Sequence, residues 1–263
     1  MFPDLMLHPE YKRNQTKAWC DQLAAKTGKY EFPWRTVPDG RTAEDIFTDK
    51  LGKAIRGKVL DVGCGHGDFT SRWADLADEL VGFDITAGFI ATANRNRPPN
   101  VRYVVGNTHD GLPFSDDAFD VAYTKKGPTS WYAEGNRVVR PGGALLMLHP
   151  GDGLGAELAR CFPGLLPQPE PGTPIRDTAL ERLAASGLVD IEWSVLEEAG
   201  WLPTPEDVWE LACFGQSEGF SRYVRETCFE RIVDQFASHA VYGKGIRTTG
   251  SFYFVQAKAA SVK

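Results

Sequence analysis

Between residues 57 and 150 short apolar runs alternate with amphipathic stretches, and the period switches back and forth between two and about 3.6. Val59–Val62, Glu79–Asp84, Val101–Val105, Phe119–Thr124 and Ala144–His149 read as strands. Helices are expected over 68–77, about 87–96 and around 130–140. Strands alternating with helices of this length imply βαβ units and a parallel sheet. Further on, a helix over 178–186 should stop at Gly187, and Val189, Ile191, Trp193 and Val195 alternate as a sixth strand. Thr204-Pro205-Glu206-Asp207 has a capping residue, proline in the first turn and two acids, so it opens a helix carrying Val208, Leu211, Ala212 and Gly215 on one face. Phe220, Val224, Cys228, Ile232 and Phe236 then recur at helical spacing over 220–239, and Ser251–Ala257 closes as a seventh, aromatic-rich strand. Before the sheet, 15–26 reads as a helix ended by Gly28, and Thr42 with Asp45 forms a capping box for a helix carrying Phe47, Leu51, Ala54 and Ile55.

This pattern predicts one α/β domain: a helical cap over 1–56, a core over 57–150, and a half over 151–263 whose helices at about 204–240 serve as a lid. The 263 residues, 42% apolar and 24% charged, suffice for a full core. Asp and Glu outnumber Lys and Arg by 35 to 29, a net charge of −6 that argues against a nucleic-acid footprint over a whole face. The five cysteines are far apart without CxxC pairing, so reduced thiols and a cytoplasmic setting are expected, with no disulfide framework and no metal site. No apolar run approaches the roughly 20 residues of a membrane span. The first ten residues lack the basic and apolar regions of a signal peptide.

The chemistry concentrates at Val59-Leu-Asp61-Val-Gly63-Cys64-Gly65-His66-Gly67. Glycines at every second position permit positive φ and let a ligand lie on the backbone. The dinucleotide fingerprint GxGxxG would need glycine at position 68 or 70, where Asp68 and Thr70 stand. The spacing is Asp-x-Gly-x-Gly-x-Gly, and further motifs follow: Asp84 ending the second strand, Gly106-Asn107-Thr108 ending the third, Leu112-Pro113-Phe114 through Phe119-Asp120-Val121, and Arg140-Pro141-Gly142-Gly143 before the fifth. Through these residues the chain resembles the class I S-adenosylmethionine-dependent methyltransferases, strongly over about 40–150 and more loosely through 257.

The resemblance implies a Rossmann-like, seven-stranded, mostly parallel sheet with helices on both faces, a helical N-terminal cap and a helical insertion before the last strand. It implies S-adenosylmethionine as cofactor, held by Asp61, Gly63, Cys64, Gly65, Gly67, Asp84, Ile85, Asn107, Thr108, Tyr123 and Thr124. In that scheme Asp61 orders the glycine loop or meets the methionine ammonium, and Asp84 accepts both ribose hydroxyls. Ile85 lies on the adenine. Asn107 takes the place of the family's usual acid and meets the adenine amino group through its carbonyl oxygen, Thr108 offers its backbone N–H to the ring, and Tyr123 and Thr124 lie beside the methionine part. The two proline-bearing motifs are structural.

A sulfonium methyl is already activated, so the protein chiefly aligns the acceptor. His149, ending the fifth strand, is the candidate base or orienter, or else a histidine satisfied inside the fold. Lys125 and Lys126 with Trp131 either hold an anionic aromatic acceptor or form a solvated helix start. Trp34 and Arg35 in the N-terminal loop, with Trp201 and Trp209 on the lid, complete the acceptor candidates. The acidic chain and dedicated lid favour a small organic acceptor over RNA, and a non-catalytic cofactor-binding or scaffold protein is the reading from another class. Nothing in the sequence speaks to the oligomeric state.

Overall fold

The computed structural model describes residues 2–261. In chain order it opens with helix α1 (Lys17–Thr27), the two-residue strand β1 (Val37–Pro38) and helix α2 (Ala43–Ala54). The alternating region follows with β2 (Lys58–Val62), α3 (Asp68–Ser71), β3 (Glu79–Asp84), α4 (Ala87–Ala93) and β4 (Val101–Val105), then β5 (Phe119–Lys125), α5 (Tyr132–Val138) and β6 (Val139–Pro150). Next come α6 (Ala156–Cys161), α7 (Pro174–Ala185), β7 (Val189–Leu202), α8 (Pro205–Ala212), α9 (Glu218–His239) and β8 (Ile246–Lys258).

These elements fall into two compact units. One gathers the described residues up to Thr42, with Gly153–Pro171 and Glu197–Ser251; the other comprises Ala43–Asp152, Gly172–Leu196 and the described residues from Phe252 onward.

The second unit carries the sheet, with strand order β7-β8-β6-β5-β2-β3-β4. β4, β3, β2, β5 and β6 run parallel, and β8 is antiparallel to β6. The strand alternation divides the core by faces. Val59, Leu80, Val121 and Leu148 pack with Phe47 and Leu51 of α2 and Ile90 of α4, whereas Leu60, Val81, Ala122 and Met147 pack with Tyr132 and Val138 of α5 and Leu183 of α7. Parallel strands sandwiched between helices must be apolar on both faces, which is why these runs read as nearly continuous hydrophobic sequence. The chain runs outward from β2 to β3 and β4, then returns to place β5 on the other side of β2. The strand order reverses between β2 and β5, and in open α/β sheets ligands bind at the carboxyl ends beside such a reversal.

Every expected strand forms, but the described residues hold eight strands instead of seven. The additional one, β1, lies in the first unit and pairs antiparallel with Gly200 and Trp201. The expected helix over 68–77 is also cut short. α3 ends at Ser71, and Leu76 N–H closes a tight turn on the Trp73 carbonyl (2.9 Å). Asn100 takes the carbonyls of Ala74 and Ala77 at 2.9 and 3.0 Å, satisfying groups that a longer helix would have used internally. In β7 the alternation marks the strand without marking a buried face. Trp193 stacks on Tyr253 (4.9 Å), yet Val189, Ile191 and Val195 remain 43%, 41% and 52% exposed.

The first unit has its own core, in which Phe220, Val224, Cys228, Ile232 and Phe236 of α9 all face Leu158, Phe162 and Val208. α8 begins with the capping box that the sequence announces, Thr204 with Asp207. Asp207 Oδ2 accepts from Thr204 N–H (3.0 Å) and its hydroxyl (2.5 Å), while Oδ1 accepts from Arg35 N–H (2.7 Å). Because Asp207 is buried, removing it leaves those donors without water. Asp207→Ala is expected to cost about 2–3 kcal/mol, read as a lower denaturant midpoint at unchanged m. A loss under about 0.5 kcal/mol would mean that the cap is not a structural anchor.

Candidate functional site

The turn after β2 is built from backbone. Gly63, Gly65 and Gly67 have φ of 83°, 56° and 84°. Any side chain would strain these conformations, and at Gly67 a Cβ would also stand 2.5 Å from the Tyr103 hydroxyl and 2.8 Å from Ala93 Cβ. The N–H groups of Gly63 and Cys64 both donate to the Phe83 carbonyl (2.7 and 3.2 Å), and Gly67 N–H donates to the Cys64 carbonyl (3.1 Å). Gly65 N–H reaches the neighbouring strand and donates to Asp84 Oδ2 at 2.9 Å. Asp84 Oδ1 accepts from Thr86 N–H at 2.8 Å, so the carboxylate is fixed from two sides while staying half-buried. Burial raises the Asp84 pKa, against the lowering effect of these N–H groups.

Asp61 does different work. It lies beside Tyr123 in the register of β2 and β5 and is only 2% exposed. Its Oδ2 accepts from the Thr70 hydroxyl (2.7 Å) and the Tyr123 hydroxyl (2.8 Å), joining α3, β2 and β5. Burial outweighs these hydrogen bonds and raises the Asp61 pKa to about 6. The Tyr123 phenol is pushed well above its ordinary value, first by burial and then by the Asp61 charge.

The remaining candidates divide by where their side chains point. Ile85 is partly exposed just past Asp84, and Gly106 N–H donates to the Asp84 carbonyl (2.9 Å), bringing the third strand end alongside. Asn107 Oδ1 accepts from His109 N–H (3.1 Å), capping a short 3-10 turn, and Thr108 exchanges a hydrogen bond with Ser130 (2.5 Å). Cys64 packs its thiol into the core, and burial raises its pKa well above the usual thiol range. Tyr123 and Thr124 are wholly buried, and the Thr124 hydroxyl donates to the Val62 carbonyl (2.6 Å). These two residues therefore brace the turn from beneath and offer no side-chain atom at its surface.

The acceptor candidates change most. His149 is 3% exposed, with Nε2 2.5 Å from the Tyr132 hydroxyl. Burial lowers its pKa to about 4, so the ring is neutral near pH 7 and enclosed, which removes it as a base exchanging protons with an external acceptor. Lys125 and Lys126 share one carboxylate partner. Their ammonium groups lie 2.7 and 3.0 Å from the two oxygens of Glu44, and Lys125 also sits 4.0 Å over the Phe69 ring. Burial favours a raised Glu44 pKa, but the two lysines outweigh it and hold the group at about 2. Trp131 is fully buried in the core. Trp34, Arg35, Trp201 and Trp209 all lie in the first unit. There Trp34 packs on Phe32 and Phe214 (4.6 and 5.2 Å), Lys244 lies 4.9 Å over Trp201, and Trp209 donates to the Ser221 carbonyl (3.3 Å). Two partners escaped the sequence reading. Thr70 lies inside the motif region and was visible there as a polar residue on α3, whereas Glu44 meets Lys125 across 81 residues with no local signal.

The strand ends that shape the turn coincide with a known sequence family: a family model described as a methyltransferase domain matches residues 59–143. Over those residues the chain is similar to methyltransferase domains. The cofactor of such domains is S-adenosylmethionine. Demethylmenaquinone methyltransferase of Renibacterium salmoninarum is 31% identical over 142 residues, covering 51% of this chain and 58% of that protein. Malonyl-(acyl-carrier protein) O-methyltransferase of Pseudescherichia vulneris is 30% identical over 112 residues, covering 40% and 43%. The chain thus spans about half the length of the curated relatives it matches. A solved structure of a protein of unknown function from Deinococcus radiodurans R1 shares the fold, with a TM-score of 0.64, 21% identity and coverage of 91% of this chain and 98% of that one. Among the described residues no helix is long and apolar enough to cross a membrane.

Asp61 offers a pH test. Its folded pKa of about 6 exceeds the unfolded value of about 3.9, so the folded state binds the proton more tightly and stability falls as pH rises through this window. At pH 8 the buried charge costs about 3 kcal/mol. Asp61→Asn keeps an oxygen for Thr70 and Tyr123 without the charge. It is expected to be more stable than the parent by about 1–3 kcal/mol at pH 8, with the gap narrowing by about half at pH 5. Denaturant titrations at the two pH values check this, and a less stable variant at pH 8 would refute a charge held at a cost.

Proposed function

We propose that this chain binds S-adenosylmethionine at the carboxyl ends of β2 and β3 and transfers its methyl group to a small organic acceptor. The observation that carries this reading is the state of Asp84. Its carboxylate is oriented by Gly65 and Thr86 N–H groups, one donor to each oxygen, and a carboxylate has lone pairs left for two hydroxyls. A vicinal diol such as the ribose of the cofactor is the natural ligand for that geometry. The glycine turn beside it presents backbone with no side chain in the way, and Ile85 supplies an apolar surface for the adenine. Asn107 retains one lone pair on Oδ1 after accepting from His109, enough for an amino group.

When bound, the cofactor supplies an activated methyl on a sulfonium, and the chain's contribution is alignment and exclusion of water. Asp61, Tyr123 and Thr124 hold the turn and the end of β5 in one geometry. A base, where the acceptor requires one, is a group other than His149. The two relatives named above act on acceptors as different as demethylmenaquinone and an acyl-carrier-bound malonyl group. What they share with this chain is therefore the donor side, and it supports a small organic acceptor without naming one. The net charge of −6, with Lys125 and Lys126 both paired to Glu44, argues against a broad basic footprint for RNA.

Titration calorimetry with S-adenosylmethionine and its demethylated product tests the site. Both should bind the parent, and Asp84→Ala should weaken them by about a hundredfold or more, because two charge-assisted bonds and the tether of Gly65 are lost together. Failure of the parent to bind either ligand would sink the reading. Binding without labelled-methyl transfer to any member of a metabolite panel, with RNA as the control, would favour a non-catalytic cofactor-binding protein.

A further inference from the structure

A side chain of β4 reaches across the sheet to the closing end of the glycine turn. Tyr103 stands beside Gly82 in the register of β4 and β3. A Cβ on Gly82 would stand 2.5 Å from Tyr103 Cδ1 and 2.7 Å from Cε1, so the ring can lie across β3 only because that residue has no side chain. Gly82 is not at positive φ, and space is what calls for glycine there. Having crossed β3, the ring brings its hydroxyl to Gly67, the last glycine of the turn.

That hydroxyl is committed twice. It donates to the Gly67 carbonyl (2.9 Å) and lies 2.8 Å from Ser71 Oγ. A phenol has a single proton to give, so the Ser71 hydroxyl is the donor in the second bond. Burial raises the Tyr103 pKa to about 12, which keeps the proton on the phenol at neutral pH. The Gly67 carbonyl also accepts from Ser71 N–H (2.9 Å), the bond that opens α3.

Glycine has more conformational freedom than any other residue, so a turn of alternating glycines keeps one shape only when it is tied from outside. At its start the ties are N–H groups donated to Phe83 and Asp84 on β3. Asp61 holds α3 further on, at Thr70. At Gly67 itself the tie is the Tyr103 phenol, carried by a strand that lies beyond β3 from β2.

We propose that Tyr103 is a positioning residue for the cofactor: its hydroxyl, bonded to the Gly67 carbonyl, sets the closing end of the turn on which the cofactor lies. The inference rests on the cofactor site proposed above and adds to it a residue on the buried side of the turn.

Three substitutions separate this role from plain stability. Tyr103→Phe removes the hydroxyl and leaves the ring over Gly82, so the core stays filled. Ser71→Ala removes the second bond and leaves the first. Val138→Ala truncates the core on the α5 face and destabilises the unit without touching the turn. Affinity for the demethylated cofactor, measured by calorimetry, should fall about tenfold in Tyr103→Phe, stay within about threefold of the parent in Ser71→Ala and within about twofold in Val138→Ala. Unfolding midpoints should fall in both Tyr103→Phe and Val138→Ala. Amide exchange across residues 63–71 of the unliganded protein, at conditions where each variant is folded, should quicken in Tyr103→Phe and not in Val138→Ala. Unchanged affinity or exchange in Tyr103→Phe, an equal affinity loss in Ser71→Ala, or affinities that track the midpoints would overturn the proposal. A parent that binds no cofactor would instead remove the site on which it rests, and the two failures are thereby distinct.

Discussion

One oxygen atom, Asp61 Oδ2, receives the hydroxyls of Thr70 and Tyr123, and the shape of the glycine turn follows from that contact. It ties the strand before the turn to the helix after it and to the neighbouring strand across the reversal in strand order. A neutral residue could make the same contacts, yet the position holds an acid that burial pushes up to a pKa of about 6. A buried group carried at the expense of stability is the mark of a site selected for something other than folding.

Asp84 completes the pair in the opposite manner. Its two oxygens are held by main-chain donors, and it remains half-buried at a strand end. The inner carboxylate is spent on architecture, and the outer one is oriented with capacity in reserve. The parallel register places them on adjacent strands, Asp61 opposite Gly82 and Asp84 two residues further on. The turn between them has its N–H groups committed to Phe83, Asp84 and Cys64, so its conformation does not wait for a ligand. Preorganisation of this kind lowers what binding must spend on ordering the loop.

Several groups that carry chemistry by residue type turn out to be consumed within the protein. The lysines at the end of β5 share one glutamate, His149 is buried against the Tyr132 hydroxyl, and Trp131 is core. The physical cause is common to them: the end of β5 is a crowded crossing where Gly127 lies against Gly63, and buried polar groups there must find partners. Residues near a site thus act on it by fixing its walls more often than by touching what it binds.

What the sequence determines alone is what local physics decides. Period-two and period-3.6 patterning located the strands, the apolar face of α9 and the glycine stop after α1, where Gly28 has φ 70°. The Thr204–Asp207 capping box and the positive φ of the three turn glycines were legible for the same reason, since each depends on neighbours within a few residues. The tertiary structure decided the rest. Asn100 shortened α3 from 26 residues away, Glu44 neutralised Lys125 across 81, and the apolar side of β7 was left exposed although its alternation is regular. A side chain's type and spacing state what it can do, whereas its burial and partners are set by segments far away in the chain. That is why the glycine turn could be read from consecutive residues, and why the state of His149 could not be read until Tyr132 stood beside it.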